Sequence, residues 1–197
     1  MKNKEIQEQR MKGYFIQATK EILKGEGIQN LSVRNIADQA GYSYATLYNY
    51  FKDINDLLFY CINDFQEECQ LFTEEHTQKE LKGIERLKAT VLAYMRYFIE
   101  YPGIFDLFYL VKMDGLGNKA STIHVINNSL ENVCAYDWDY CLSHGIIQPA
   151  EMEVLKTQLK YTVTGLLLFY LNRISPESYP EFIENSSNQI SHVLNSK

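Results

Sequence analysis

Apolar residues recur along this chain at three- and four-residue spacing, the period of an α-helix with one buried face. Tyr14, Phe15, Ala18, Ile22 and Leu23 form the first such stripe, and Gly25 and Gly27 end it. Val33, Ile36 and Ala37 predict a second helix with Ser32 at its N-cap. Gly41 follows where a residue without Cβ can turn the chain, and Ser43 can cap a third helix with Leu47 and Phe51 on one face. Asp53, with Asp56 three residues on, opens a long helix carrying Leu57, Leu58, Cys61, Ile62 and Phe65, and the polar run 73–79 predicts its end.

Ile84, Leu87, Val91, Tyr94, Met95 and Phe98 predict a helix over 80–101, stopped by Pro102-Gly103. A short aromatic helix over 104–111, a loop at 114–118 and one helix over 120–143 follow, the last with Ile123, Ile126, Leu130, Val133, Trp138 and Cys141 inward. Pro149 opens a further helix that is apolar nearly all round over 163–171 and so needs cover on more than one side. Pro176 and Pro180 flank a turn, and Phe182, Ile183, Ile190 and Leu194 mark a last amphipathic helix. No strand-like alternation and no repeat appears. The fold class is all-α.

Residues 32–51, two short helices joined by a tight turn, have the form of a helix-turn-helix, which sets its second helix in the DNA major groove. The face of that helix opposite Leu47 and Phe51 carries Tyr44, Ala45, Thr46, Tyr48, Asn49 and Tyr50, all small or hydrogen-bonding residues.

From about Gly13 to Leu58 the chain resembles the N-terminal domain of the TetR family of bacterial transcriptional regulators. The resemblance rests on ATKEILKGEGIQNLSVRNIADQAGYS followed by ATLYNYFKDINDLL. It implies a DNA-binding domain over 1–52 and a helical regulatory, ligand-binding and dimerisation domain over 53–197. Carried over by position, Tyr44, Ala45, Thr46 and Asn49 face base edges, while Arg34, Ser43, Tyr48, Tyr50 and Lys52 hold phosphates. Two positions depart from the family pattern: Tyr50 stands where His is frequent, and Ile54 where a second Lys is frequent.

The net charge of −6 alone would argue against a nucleic-acid partner. Its distribution reverses that argument. Through Asn55 there are eight Lys and Arg against six Asp and Glu, which leaves 11 against 19 for the remainder, so +2 is followed by −8. So light a positive charge means that hydroxyls and backbone N–H groups share the DNA contact with cations. The start of the chain is polar and charged through residue 12, as an arm that either frays or extends the first helix, with Lys2, Lys4, Arg10 and Lys12 available to phosphates. It lacks the apolar core of a secretory signal, and the expected location is the cytoplasm, away from membranes. Cys61, Cys69, Cys134 and Cys141 form no metal-ligand spacing and are expected as buried, reduced thiols.

In the second region the sequence offers Tyr94, Phe98, Tyr101, Phe105, Phe108, Tyr109, Asn128, Trp138, Tyr161 and Thr164 for a small-molecule effector, because such sites combine apolar walls with a few polar groups. A single helix-turn-helix makes few base contacts, so a homodimer on double-stranded operator DNA with inverted half-sites is expected. The family pairs its two final helices across that dimer, which implies Gly165, Leu166, Phe169, Ile183, Ile190 and Leu194 as interface residues. The leading expectation is a ligand-responsive repressor. An architectural or adaptor protein of the same fold without an inducer is the alternative. No nucleophile-elbow, phosphate-cradling or dinucleotide motif supports an enzyme, and no cofactor or metal is expected.

Overall fold

The computed structural model describes residues 2–111, 120–172, 176 and 178–195. The loop expected at 114–118 lies outside them. Among the described residues every regular element is helical: α1 (Lys2–Gly25), α2 (Val33–Ala40), α3 (Tyr44–Leu47), α4 (Ile54–His76), α5 (Gly83–Glu100), α6 (Pro102–Tyr109), α7 (Ala120–Asn127), α8 (Ser129–Val133), α9 (Ala135–Ser143), α10 (Pro149–Leu171) and α11 (Tyr179–Asn195), with a 3₁₀ turn at Ile28–Asn30. The chain is all-α.

Packing groups these helices into two compact units, one formed by Met1–Glu67 with Tyr101–Asn127 and the other by Glu68–Glu100 with Asn128–Lys197. The sequence reading divides the chain by expected role at 52/53; packing places α6 and α7 in the same unit as α1 to α3.

The core of the first unit is built by Phe15, Ala18, Ile22, Ile36, Leu47, Phe51 and Leu57, with Leu31, Val33, Tyr50 and Ile54 packed against it. Ile54, one of the two departures from the family pattern, is thus explained as an apolar edge to this core. Helix α6 packs across the C-terminal end of α1 and the 3₁₀ turn. A Cβ on Gly103 would collide with the Leu23 carbonyl and come within 2.9 Å of the Gly27 Cα. The Pro102-Gly103 pair therefore opens α6 as well as stopping α5, because Pro fits at a first helical turn and Gly permits the close approach.

In the second unit α5 packs against α8, α9, α10 and α11. Tyr94, Tyr97 and Phe98 are buried there, and the Tyr94 hydroxyl reaches Ser129 Oγ at 3.1 Å. The buried Asp137 carboxylate accepts from the Arg86 guanidinium and from Thr90 Oγ1 at 2.7 Å. Arg86 also lies over the Tyr136 ring, 4.6 Å from its centroid. Helices α10 and α11 meet at the Tyr170–Phe182 ring stack, 4.1 Å between centroids.

Four expectations need correction. Helix α4 runs on through the polar run to His76, because Thr73 and Thr77 donate back to the Cys69 and Thr73 carbonyls and His76 stacks on Phe72. The single helix over 120–143 is three short ones, interrupted where Asn128 (φ −106°, ψ 9°) and Cys134 (φ −91°, ψ 6°) leave helical geometry. Ile123 is exposed instead of inward. Pro180 sits inside the first turn of α11 and does not flank the turn before it. The polar N-terminal arm extends α1, and Lys4 to Arg10 are all exposed along it.

Candidate nucleic-acid interface

Helices α2 and α3 are held by local hydrogen bonds that their sequence supplies. Ser32 Oγ accepts from the Asn35 N–H at 3.1 Å, and Ser43 Oγ accepts from the Thr46 N–H at 3.2 Å. Each such cap stabilises its helix by about 1 kcal/mol. Gly41 takes the left-handed conformation (φ 76°, ψ 27°) and returns its N–H to the end of α2. The Tyr42 N–H then donates to the Ala37 carbonyl at 2.9 Å.

Helix α3 is shorter than the Leu47–Phe51 spacing suggests. Regular α-helix covers Tyr44–Leu47 alone, and the chain continues in tight turns, with Asn49 N–H to Thr46 O at 3.1 Å and Tyr50 N–H to Leu47 O at 3.0 Å. Leu47 and Phe51 are buried and fix both ends of this segment. Past it, Asp53 Oδ1 accepts from the Asp56 N–H at 2.8 Å and caps α4 as expected.

Helix α2 is fixed to α1 from outside the core. Glu21 accepts from Gln17 Nε2 and from Gln39 Nε2, each at 3.0 Å. These two amide donors hold the Glu21 carboxyl below its usual range, so it stays ionised.

Between α2 and α3 lies an open recess of about 670 Å³ lined by Val33, Arg34, Ala37, Asp38, Ser43, Tyr44 and Tyr48. Tyr44 is 64% exposed and Tyr48 52%. Arg34, Ala45, Asn49 and Lys52 are exposed as well, and Thr46 is half-buried, with its hydroxyl 2.9 Å from Ser43 Oγ. Tyr50 differs from the others: its ring packs against the small core, 6.3 Å from Phe15. Sequence reasoning did not single out Asp38 as a lining residue. Asp38 reads from sequence as an ordinary polar position of α2, and only the fold sets it in the recess.

A capped helix-turn-helix on a small helical core is the arrangement of a DNA-reading head. Residues 15–61 match the family model described as bacterial regulatory proteins, tetR family. Solved structures share the fold. The transcriptional regulator FadR from Bacillus subtilis, in complex with stearoyl-CoA, superposes with a TM-score of 0.68 at 16% identity, covering 92% of this chain and 97% of its own. A TetR family transcription regulator from Marinobacter aquaeolei VT8 gives 0.67 at 20% identity, with 98% of both chains covered. RolR in complex with resorcinol gives 0.68 at 15% identity, covering 95% of this chain and 93% of its own. No curated protein sequence matches significantly. Among the described residues no helix is long and apolar enough to cross a membrane.

The residues nominated for an effector fall in both units. Tyr101, Phe105, Phe108 and Tyr109 belong to the first, where Lys24 Nζ lies 4.8 Å from the Tyr101 ring centroid. Tyr94, Phe98, Asn128, Trp138, Tyr161 and Thr164 belong to the second. Trp138 is buried, and its indole Nε1 has no hydrogen-bond acceptor among the described residues. Tyr161 is 69% exposed.

Of the residues nominated for dimerisation, Phe169 is 53% exposed, Gly165, Leu166 and Ile183 are half-buried, and Ile190 and Leu194 are buried within their own unit. Val154, Tyr161 and Leu168, seven residues apart, are also exposed on α10. The inward stripe of the same helix is Met152, Leu155, Leu159, Val163 and Leu167.

Proposed function

We propose that this protein is a ligand-responsive repressor that binds a palindromic operator as a homodimer in the cytoplasm. The observation that carries this reading is the doubly capped helix-turn-helix, with Arg34, Ser43, Tyr44 and Tyr48 lining one open recess beside exposed Ala45 and Asn49. In this reading Tyr44, Ala45, Thr46 and Asn49 meet base edges in the major groove. Arg34, Ser43, Tyr48, Tyr50 and Lys52 hold phosphates and set the register.

The outward face of α10 supports the dimer. Val154, Tyr161, Leu168 and Phe169 form an apolar strip that a second copy would cover. Tyr161 serves this strip in place of the effector site. Ile190 and Leu194 hold α11 in place behind it.

The effector reading rests on the aromatic residues of the larger unit and on the Trp138 N–H. A buried donor without an acceptor is costly, and a bound molecule that offers an acceptor would relieve it. FadR was solved with stearoyl-CoA and RolR with resorcinol; in this chain the buried aromatic residues and the Trp138 N–H suit a largely apolar molecule bearing one acceptor. Its binding would shift α4, which begins against the small core at Ile54 and runs on to His76, and so change the spacing of the two heads in the dimer. A coupling of about 1.4 kcal/mol changes DNA affinity tenfold.

Selection of bound duplexes from a random-sequence pool tests the DNA reading. An enriched inverted repeat is expected, and a pool without enrichment would overturn it. A thermal-shift screen of small metabolites, followed by operator release, tests the effector. If no compound shifts the melting temperature or releases DNA, the adaptor reading takes its place.

A further inference from the structure

Two tyrosines next to the helix-turn-helix have no role in the reading above. Tyr14 of α1 is 51% exposed and Tyr42, in the turn before Ser43, is 37% exposed. Their rings stack, with centroids 6.0 Å apart and an interplanar angle of 28°. Tyr42 also leans on the buried Phe15 ring at 5.7 Å, and its N–H is bonded to Ala37. The Tyr42 side chain is therefore anchored at its base while much of its surface stays in water. Neither hydroxyl has a protein hydrogen-bond partner among the described residues. Arg10 precedes Tyr14 by four residues, so the two share a face of α1. Arg10 is exposed and makes no ion pair among the described residues.

The same face of α1 continues through Gln17 to Glu21, which Gln17 and Gln39 hold as a carboxylate. An ionised carboxylate repels phosphate. The strip available to an anion therefore runs from Tyr42 through Tyr14 to Arg10 and is closed on the other side by Glu21.

We propose that Arg10, Tyr14 and Tyr42 form a phosphate-contact strip that carries the operator backbone beyond the helix-turn-helix and onto α1. It rests on the DNA-binding reading above. Two phenol hydroxyls and one guanidinium are donors suited to phosphate oxygens. Tyr42 is the chain neighbour of Ser43, already placed on the backbone, so the strip extends the same contact line. Stacking fixes the two rings in advance, which lowers the entropy lost when their hydroxyls bind.

The test measures affinity for a selected operator duplex by fluorescence anisotropy across a salt series. Tyr14→Phe and Tyr42→Phe keep both rings and remove only the hydroxyls, and Arg10→Gln keeps a good helix former at an exposed site. Each Tyr→Phe change should weaken operator and scrambled duplex alike by about three- to tenfold, with little effect on salt dependence. Arg10→Gln should lower the slope of log K against log salt by about 1. Tyr48→Phe is the control. If Tyr48→Phe weakens binding while all three strip variants match the wild type in affinity and slope, the DNA reading stands and the strip is overturned. If the wild-type protein binds no duplex, both fall.

Discussion

Gly103, the second residue of α6, lies against the Leu23 carbonyl near the end of α1, at a spacing that leaves no room for a Cβ. The obstructing atoms are backbone, so no side chain can swing away to make space.

Gly103→Ala therefore separates two opposing effects. Helix propensity alone favours Ala over Gly by about 1 kcal/mol. Overpacking against a fixed backbone costs about 1–3 kcal/mol, and more where neither helix can shift. The clash wins, so the variant should be destabilised, with a lower urea midpoint at unchanged m-value. Any variant that folds should also show altered operator affinity, since α1 carries the helix-turn-helix. Gly165 gives the contrast. Nothing lies within 4 Å of a Cβ built there, so Gly165→Ala should leave a monomer unharmed or slightly more stable.

The dimer proposal makes a sharper demand on the same helix. Phe169→Glu places a charge on the exposed apolar strip of α10 and should turn the dimer into a folded monomer. Sedimentation equilibrium together with a retained helical circular dichroism spectrum would show it. A stable Phe169→Glu dimer would remove α10 from the interface.

Base and phosphate contacts should separate by mutation. Thr46→Ala is expected to change the selected sequence profile, while Tyr48→Phe should lower affinity for all sequences in similar proportion. Ser43→Ala removes both the Thr46 N–H acceptor and the neighbour of the Thr46 hydroxyl. It should cost about 0.5–2 kcal/mol of stability. A Thr46 variant with an unaltered profile would contradict its place at a base edge.

Much of this head was legible from sequence because its signals are local. Ser32, Gly41, Ser43 and Asp53 each act within about four residues of their own position, and each occupies the cap or turn expected of it. The breaks in 120–143 were not legible. Leu130, Val133, Trp138 and Cys141 keep helical spacing and are buried, so changes in ψ at Asn128 and Cys134 leave the apolar pattern intact. The reach of α4 to His76 was hidden for the opposite reason: its last turn is polar and is supported by its own hydroxyl and ring contacts, with no apolar stripe to announce it. Of the candidate site, residue identities were readable, whereas the recess that places Asp38 beside Tyr44 and Tyr48 needs the crossing of two helices.

The buried thiols set a pH window. Burial pushes the Cys69 thiol from its ordinary 9.0 up to about 12, against a smaller opposing effect from its hydrogen bond with Thr73. Burial likewise raises Cys134 well above its ordinary value, and the nearby Asp137 adds to the rise. The folded chain keeps protons that the unfolded chain gives up above pH 9. This contribution to stability is complete below about pH 9 and is lost as pH rises toward 12. The urea midpoint should fall across that window. At pH 8 these two thiols should resist iodoacetamide until urea unfolds the protein. Rapid labelling in the native state would contradict their burial.

One turn of true helix in α3 has an informational consequence. A reading element built on one turn of helix and the tight turn after it presents few side chains to the bases, so in the proposed dimer each half-site would specify only a few base pairs. In the proposed dimer, the length of DNA distinguished in a genome would come from repetition, by the separation of two such short readers. A device that alters this separation by a small distance removes recognition without changing a single base contact.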